Sequence, residues 1–228
     1  MRKPKKKYSR RLQSVIESLE TRRLLASINI ADFGARPNDG IDDTAAIRAA
    51  INASKPGDTI LFTGGIYDVS QTIELKSNRT YTGGGTLKRT PGQDFILTTD
   101  GQNTGIKINN LTLDGGGLHA GNGMARNMEV TNTRFQNITR GYPTGNAILL
   151  SAGAENSKFN NNTFYNVMGE TGIYGFVRFH NVEMNNNYFD TVMEGIHLWY
   201  ESGESLQVKG NTFIRMKRMA VELQGYNA

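Results

Sequence analysis

Residues 146–150 read Asn-Ala-Ile-Leu-Leu, and this short apolar pattern returns three times along the second half of the chain. The later copies are Thr171-Gly-Ile-Tyr-Gly175, Glu194-Gly-Ile-His-Leu198 and Met219-Ala-Val-Glu-Leu223. Their central residues, spaced by 25, 23 and 25 positions, are Ile148, Ile173, Ile196 and Val221. A second series keeps the same period and consists of Asn-x-Phe triplets that end at Phe164, Phe189 and Phe213. Two series with one period indicate a structural repeat.

A repeat of this length is one coil of a parallel β-solenoid, built from two or three short strands. One coil cannot bury its apolar face alone, so successive coils stack and share a continuous core. We therefore expect the four central residues to form a single interior column. The asparagines of the triplets should also stack in register, with their amides bonded along the solenoid axis. They are Asn162, Asn187 and Asn211.

Ahead of the repeats, the sequence predicts one helix among short strands. Residues 28–33 favour a strand, and a helix is expected over 44–53. Asp42 and Asp43 stand at its N-cap, where carboxylates accept amide hydrogens of the first turn. Ala and Ile at positions 46, 47, 50 and 51 give this helix one apolar face, which should lie on an apolar surface. Short strands are expected at 59–62, 66–69, 72–75 and 80–81.

The charge of the chain is unevenly distributed. Its 26 Lys and Arg and 21 Asp and Glu give a net charge of +5 over 228 residues. Residues 1–26 hold nine of the basic and two of the acidic residues, which leaves 17 basic and 19 acidic residues in the body. A nearly neutral body lacks the basic surface of a nucleic-acid binder. No apolar run is long enough to span a membrane, and the absence of cysteine excludes disulfides and thiolate metal sites.

The basic N-terminal segment predicts a targeting or processing signal. It ends in Glu17-Ser-Leu-Glu-Thr-Arg-Arg-Leu-Leu-Ala26, which resembles the Leu-Glu-x-Arg-Arg-Leu-Leu leader of many large cell-surface proteins of some environmental bacteria. The resemblance implies that residues 1–27 are an export leader, disordered or helical, and that the protein is extracellular or on the cell surface. The alternative is a short basic amphipathic helix on a cytoplasmic protein.

The segment before the repeats carries a second resemblance. Its motifs are Asp32-Phe-Gly-Ala35, Asp39-Gly-Ile-Asp-Asp-Thr-Ala-Ala-Ile47, Gly57-Asp-Thr-Ile-Leu-Phe62 and Gly65-Ile-Tyr67. They resemble the N-terminal pectate-lyase-type module of the pectin-lyase-like superfamily. The resemblance implies an all-β fold, a right-handed parallel β-helix with a short N-terminal capping α-helix, over 28–228. The cap would occupy about 28–90 and the coils about 91–228. Since Val221-Glu-Leu223 begins a coil that is not closed, we expect a solenoid truncated at its C-terminus.

The resemblance leaves the function open, because lyases, hydrolases, isomerases, viral tailspikes and surface proteins share this fold. The sequence lacks the full polygalacturonase-type set of Asn-Thr-Asp, Asp-Asp, Gly-His-Gly and Arg-Ile-Lys, and Asp42-Asp43 belongs to the helix cap. The leading hypothesis is a lyase or glycoside hydrolase, or a fragment of one, acting on an acidic polysaccharide. The alternative is a non-catalytic cell-surface or adhesion β-helix that binds glycan or is structural. We expect a monomer without cofactor; calcium bound by Asp or Glu remains open.

Strand alternation predicts which side chains of the repeats face outward. If the central apolar residues point inward, their neighbours point outward, and neighbouring coils lie about 4.8 Å apart. One outward row then consists of Tyr174, His197 and Glu222. The next row consists of Phe176, Trp199 and Gln224, and Arg178 should lie beside Glu201. Exposed aromatic faces flanked by ionisable groups are typical of a sugar-binding groove.

Two chemistries are compatible with this face. In β-elimination on a uronate, Arg178 would neutralise the carboxylate and His197 or Tyr174 would remove the C5 proton. In hydrolysis, two carboxylates would flank the scissile bond, and the candidates are Glu194, Glu201 and Glu222. The structural alternative is that the aromatic residues pack beneath a loop and His197 pairs with Glu222.

Other ionisable residues are weaker candidates. Lys217 and Arg218 are expected in a solvated turn. His119 lies within the glycine-rich stretch 115–123 and is expected in a flexible loop. His180 lies at the end of an outward row.

Overall fold

A computed structural model describes residues 25–90, 95–99, 104–121, 123–141 and 144–225, without the side chains of 202–204. Most of the expected leader therefore lies outside the described residues. Over the described ranges the chain is a right-handed parallel β-helix of about six turns, as expected. None of its helices in these ranges is long and apolar enough to cross a membrane.

Strands account for most of the fold, and all but two of them are short. The helical elements are a 3₁₀ helix, Ile30–Phe33, and α1, Thr44–Ala53. The strands are β1 (Ser27–Asn29), β2 (Thr59–Leu61), β3 (Gly65–Val69), β4 (Ile73–Leu75), β5 (Thr80–Thr82), β6 (Gly85–Arg89), β7 (Leu97–Thr99), β8 (Lys107–Asn109), β9 (Thr112–Asp114), β10 (Leu118–Ala120), β11 (Ala125–Arg126), β12 (Glu129–Thr131), β13 (Arg134–Ile138), β14 (Ile148–Leu150), β15 (Ala154–Asn160), β16 (Thr163–Glu183), β17 (Tyr188–Gln207), β18 (Thr212–Ile214) and β19 (Val221–Gly225).

The coils stack strand upon strand in parallel register. One sheet contains β4, β7, β10, β14, the middle parts of β16 and β17, and β19. We call it the third sheet, because β4, β7 and β10 are each the third strand of their coil. Another contains β3, β6, β9, β13, the first parts of β16 and β17, and β18. The long strands β16 and β17 pass through all faces of a coil, so the third sheet is tied to the rest of the helix by continuous backbone.

The interior column predicted from the repeat is confirmed. Ile148 pairs with Ile173, Ile173 with Ile196, and Ile196 with Val221. The three isoleucines are fully buried, whereas Val221, on the last described coil, is 39% exposed. Each buried aliphatic side chain contributes roughly 1.5–3 kcal/mol, so a column of them is a large part of the stability of the stack.

The phenylalanines of the triplets form a second interior column. Phe164 lies between Phe135 and Phe189, with ring centroids 5.2 and 4.6 Å away and interplanar angles of 7° and 5°. Phe213 continues the stack at 4.8 Å from Phe189. Both series of the repeat therefore line the core. One series contributes a branched side chain to each coil, and the other contributes a phenylalanine ring.

The asparagine ladder is also confirmed. Asn187 Oδ1 accepts a hydrogen bond from the backbone N–H of Asn162 at 2.9 Å, and Asn211 Oδ1 accepts one from Asn187 N–H at 2.8 Å. The Asn187 side-chain amide donates to the carbonyl oxygen of Phe159 at 2.8 Å. These amides satisfy backbone groups at turns that would otherwise be buried without partners.

The high asparagine content has a second cause, which is the backbone conformation of the turns. Many turns between strands require positive φ, which asparagine tolerates better than other non-glycine residues. Residues that occupy this conformation at equivalent turns of successive coils include Asn110, Asn132, Asn161 and Asn186, and in another column Asn127, Asn156 and Asn181.

The strand expected over 28–33 is wrong beyond Asn29. The Asn29 side chain accepts the N–H of Ala31 at 3.0 Å and starts a 3₁₀ turn, which Gly34 ends with a φ of 99°. The expected helix over 44–53 is confirmed, and its apolar face is buried. Its predicted capping is half right. Asp42 accepts the N–H of Thr44, whereas Asp43 accepts the N–H of Arg36 in the preceding loop.

Asp42 makes the N-terminal cap sensitive to acid. Burial raises the pKa of this carboxyl, but hydrogen bonds from Ser70 and Thr44 outweigh burial and lower the pKa from 3.8 to about 2. Because the folded pKa is the lower one, the carboxylate stabilises the fold above about pH 4, and that contribution disappears as the pH falls toward 2. Urea unfolding at about pH 5 and pH 2 should show a greater loss of stability for the wild type than for Asp42→Asn. Equal losses in the two proteins would contradict this account.

Candidate functional site

The two outward rows predicted for the third sheet are confirmed by its register. Tyr174 pairs with His197, and His197 with Glu222, on three successive coils. The Tyr174 and His197 rings lie 5.1 Å apart. In the next row Phe176 pairs with Trp199, which in turn pairs with Gln224.

Three ionisable side chains meet in this face. His197 Nδ1 lies 2.8 Å from Glu194 Oε2, and His197 Nε2 lies 3.5 Å from Glu222 Oε2. The side chain of His197 is 12% exposed, that of Glu222 21% and that of Glu194 4%. The imidazole thus lies between two carboxylates, one buried and the other at the surface.

Glu194 is held in place by its neighbours. Its Oε1 contacts Arg218 Nη1 at 2.5 Å, and its Oε2 accepts a hydrogen bond from Thr171 Oγ1 at 3.2 Å as well as meeting His197. Glu194 and Thr171 are opposite each other in the parallel register, at the point where each strand enters the third sheet. Since both oxygens are engaged, this carboxylate orients the histidine and is not free to meet a substrate.

The contact with Glu194 decides which nitrogen of His197 carries hydrogen. A carboxylate only accepts hydrogen bonds, so Nδ1 donates and the lone pair of a neutral ring is on Nε2. Among the described residues Nε2 and Glu222 Oε2 have no hydrogen-bond partner, although both atoms are buried. The other oxygen of Glu222, Oε1, accepts a hydrogen bond from Gln224 Nε2.

Aromatic rings surround this trio on the same face. His197 stacks on Trp199 with centroids 5.6 Å apart, and Tyr174 meets Phe176 edge-on at 4.6 Å. All four rings are partly exposed. The face therefore combines aromatic surface with a base and two carboxylates.

Arg178 and Glu201 do not join this cluster, and the expectation that they lie side by side is wrong. Val177 pairs with Tyr200, but Arg178 pairs with Ser202, so Glu201 is an extra residue in β17. The shift is a β-bulge, and Val177 has a φ of 77° at the same place. Glu201, in the bulge, and Arg178, which follows it in the pairing, are both exposed.

Arg218 and His119 each have surroundings that the sequence did not fully predict. Arg218 lies in an exposed bend, as expected, but its guanidinium also contacts Glu194, and its backbone N–H donates to the Met193 carbonyl oxygen at 2.8 Å. His119, expected in a flexible loop, lies in β10 and shares the outward row with Tyr174 through Leu149.

The environment of His119 differs from that of His197. Its Nε2 lies 2.7 Å from Ser151 Oγ, and its ring stacks on Phe95 with centroids 5.0 Å apart. Burial lowers the pKa of His119, which favours the neutral ring. His180 is exposed in β16.

Within the described ranges, one group of three residues has ligand atoms close enough to share a metal ion. It consists of Glu194, His197 and Glu222, whose ligand atoms lie within 4.8 Å of one another. The repeat predicted that His197 and Glu222 share a row, but it did not predict that Glu194 lies against His197.

The chain resembles solved β-helix structures at low sequence identity. The catalytic unit of a GH87 alpha-1,3-glucanase from Streptomyces thermodiastaticus is 18% identical, with a TM-score of 0.57, and the match covers 88% of this chain and 42% of that one. The surface adhesin PfbA of Streptococcus pneumoniae is 15% identical, with a TM-score of 0.54 and coverage of 78% and 61%. This chain therefore spans less than two thirds of either structure. Identities this low indicate a shared fold alone.

No curated protein sequence matches the chain. The family model described as rhamnogalacturonase A/epimerase, pectate lyase-like matches residues 27–218. That range includes the N-terminal cap, the stacked coils, and both Glu194 and His197. It ends at Arg218, before Glu222. This is a polysaccharide-related β-helix protein, and the chain belongs to the rhamnogalacturonase A/epimerase, pectate lyase-like family.

Proposed function

We propose that this protein cleaves an acidic polysaccharide by β-elimination, with His197 as the base. The observation that carries the proposal is the contact of His197 Nδ1 with Glu194, which leaves Nε2 as the proton acceptor of the neutral ring in an aromatic outward face. A base of this kind suits removal of the acidic proton next to a uronate carboxylate.

The reaction follows from this arrangement. His197 Nε2 removes the C5 proton, the electron pair forms the C4–C5 double bond, and the bond from C4 to the glycosidic oxygen breaks. His197 then returns the proton to the leaving oxygen. Glu222 covers Nε2 and has to turn aside for the substrate. Trp199 and Phe176 offer aromatic faces to the sugar rings.

The surroundings of the carboxylates support elimination over hydrolysis. Hydrolysis needs two available carboxyl groups at a defined separation across the bond. Glu194 is buried, and its oxygens are engaged by Arg218, Thr171 and His197. Glu201 lies in the bulge, beyond the face that holds His197. Glu222 is left as the one acidic group at the surface of this cluster.

Arg218 takes the role that the sequence suggested for Arg178. Its guanidinium is anchored to Glu194 through one nitrogen, and its side chain is 58% exposed, so further N–H groups can bind a uronate carboxylate. We expect Arg218→Ala to raise KM and lower kcat for polyuronates, whereas Arg178→Ala changes them little. The ultraviolet absorbance of the unsaturated product on a polyuronate panel measures both. A larger fall in activity in Arg178→Ala than in Arg218→Ala would mean that Arg178 binds the uronate carboxylate.

A glycan-binding protein without catalysis is the second candidate, favoured by the absence of the catalytic signatures of related enzymes. Affinity electrophoresis on the same polymers separates the two functions. Retarded migration without product on any polymer would support the binding function. We further propose that the protein acts as a monomer outside the cell or on its surface, with the N-terminal basic segment as export leader.

A further inference from the structure

We propose that His197 Nε2 and Glu222 Oε2 together bind a divalent transition-metal ion, for which Zn²⁺ is the best match. The claim that the ion regulates elimination rests on the proposed function. The claim that the ion binds here rests only on the geometry of the two side chains.

The distance between the two atoms fits one shared ion. Zinc binds imidazole nitrogen at about 2.0–2.1 Å and carboxylate oxygen at about 2.0–2.2 Å, with tetrahedral geometry. Two ligand atoms on one such ion therefore lie about 3.3–3.5 Å apart. His197 Nε2 and Glu222 Oε2 are 3.5 Å apart.

The same two atoms lack any other partner. Both are buried, and neither makes a hydrogen bond within the described residues. A protonated ring pairs with Glu222 across this distance, whereas the lone pair of a neutral ring faces a carboxylate oxygen, which is an unfavourable arrangement of two acceptors. A cation between them replaces that arrangement with two favourable contacts.

The surrounding groups match the outer shell of a metal site. A ligating histidine commonly donates its other N–H to a carboxylate, and ligating carboxylates are themselves hydrogen-bonded. His197 Nδ1 meets Glu194 in this way, and Gln224 donates to Glu222 Oε1. All of these residues lie on the backbone of β17 and β19, which are paired in register.

The mixed donor set selects the class of ion. Imidazole suits zinc, copper, nickel and iron, whereas calcium and magnesium prefer shells made of oxygen. With two protein ligands, the remaining positions of the ion are filled by water. An ion on Nε2 occupies the lone pair that removes the C5 proton, so metal and catalysis exclude each other.

Calorimetry tests the site without reference to activity. The full chain, freed of metal by chelator and dialysis, is titrated with zinc chloride at neutral pH. We expect one zinc per chain, with affinity at least tenfold lower in His197→Ala and in Glu222→Gln. Glu194→Gln, which alters the outer shell alone, should weaken binding about 10–100-fold. His180→Ala is the matched control and should bind like the wild type.

Circular dichroism of each variant shows whether the fold is retained. Titration with calcium chloride should give no heat of binding comparable to that of zinc. Absence of zinc binding, or equal affinity in His197→Ala, Glu222→Gln and wild type, would overturn the inference.

Activity assays separate the two proposals. Zinc binding that needs His197, with no cleavage of any polyuronate, would support the metal site and overturn the elimination function. Elimination that is unaffected by saturating zinc would overturn the regulatory role. Elimination inhibited by zinc, and restored by chelator, would support both.

Discussion

Replacing His197 by alanine lowers kcat for uronate elimination by about 10²–10⁴-fold, the usual contribution of a general base. The side chain is mostly buried between Glu194 and Glu222, and its replacement removes the proton acceptor that Glu194 orients. His180→Ala, at an exposed histidine of the neighbouring strand, is the control and should retain wild-type rates. Wild-type kcat in His197→Ala would exclude the histidine as base.

Glu194→Gln tests the orienting contact separately. Glutamine keeps the shape of the side chain, but it can present its amide N–H₂ to Nδ1 and so stabilise the wrong tautomer of His197. We expect a fall in kcat with KM nearly unchanged, and a shifted pH profile. A merely structural role would leave the pH profile as in the wild type.

Phe164→Ala should destabilise the folded protein by about 3–5 kcal/mol, because it removes a ring from the middle of a close-packed stack. Phe164 is fully buried between Phe135 and Phe189, and the flanking coils cannot close the gap without breaking their strand pairing. Urea unfolding monitored by circular dichroism measures the free energy of unfolding.

Tyr165→Ala provides the matched control for this change. Tyr165 is adjacent in sequence and 40% exposed, and the Arg134 guanidinium lies 5.1 Å from its ring centroid. Its loss should cost about 1 kcal/mol, mainly the cation–π contact. A loss in Phe164→Ala no larger than in Tyr165→Ala would contradict a core that is shared between coils.

The periodic part of the structure was predictable from the sequence. The regular spacing of Ile148, Ile173 and Ile196 reveals the stacked coils, because every coil must place an apolar side chain over that of the preceding coil. The outward neighbours Tyr174, His197 and Glu222 then follow from strand alternation. This reasoning works wherever the register stays constant.

Departures from the period were not predictable in the same way. The bulge at Glu201 moves Arg178 out of register, and nothing in the spacing of the apolar residues marks it. The contact from Arg218 to Glu194 depends on how one turn stacks upon another. Asn29 ends β1 and starts a 3₁₀ helix, which Gly34 ends, through local hydrogen bonds that hydrophobic periodicity does not reveal.

Proton removal from the sugar is the central chemical step of this account, and isotope release measures it directly. A polyuronate carrying deuterium at C5 is incubated with the full chain, and label in the water is followed by mass spectrometry. The account predicts release by the wild type and by His180→Ala, and none above background by His197→Ala. A polymer that is bound by the protein while its C5 label stays in place would contradict it.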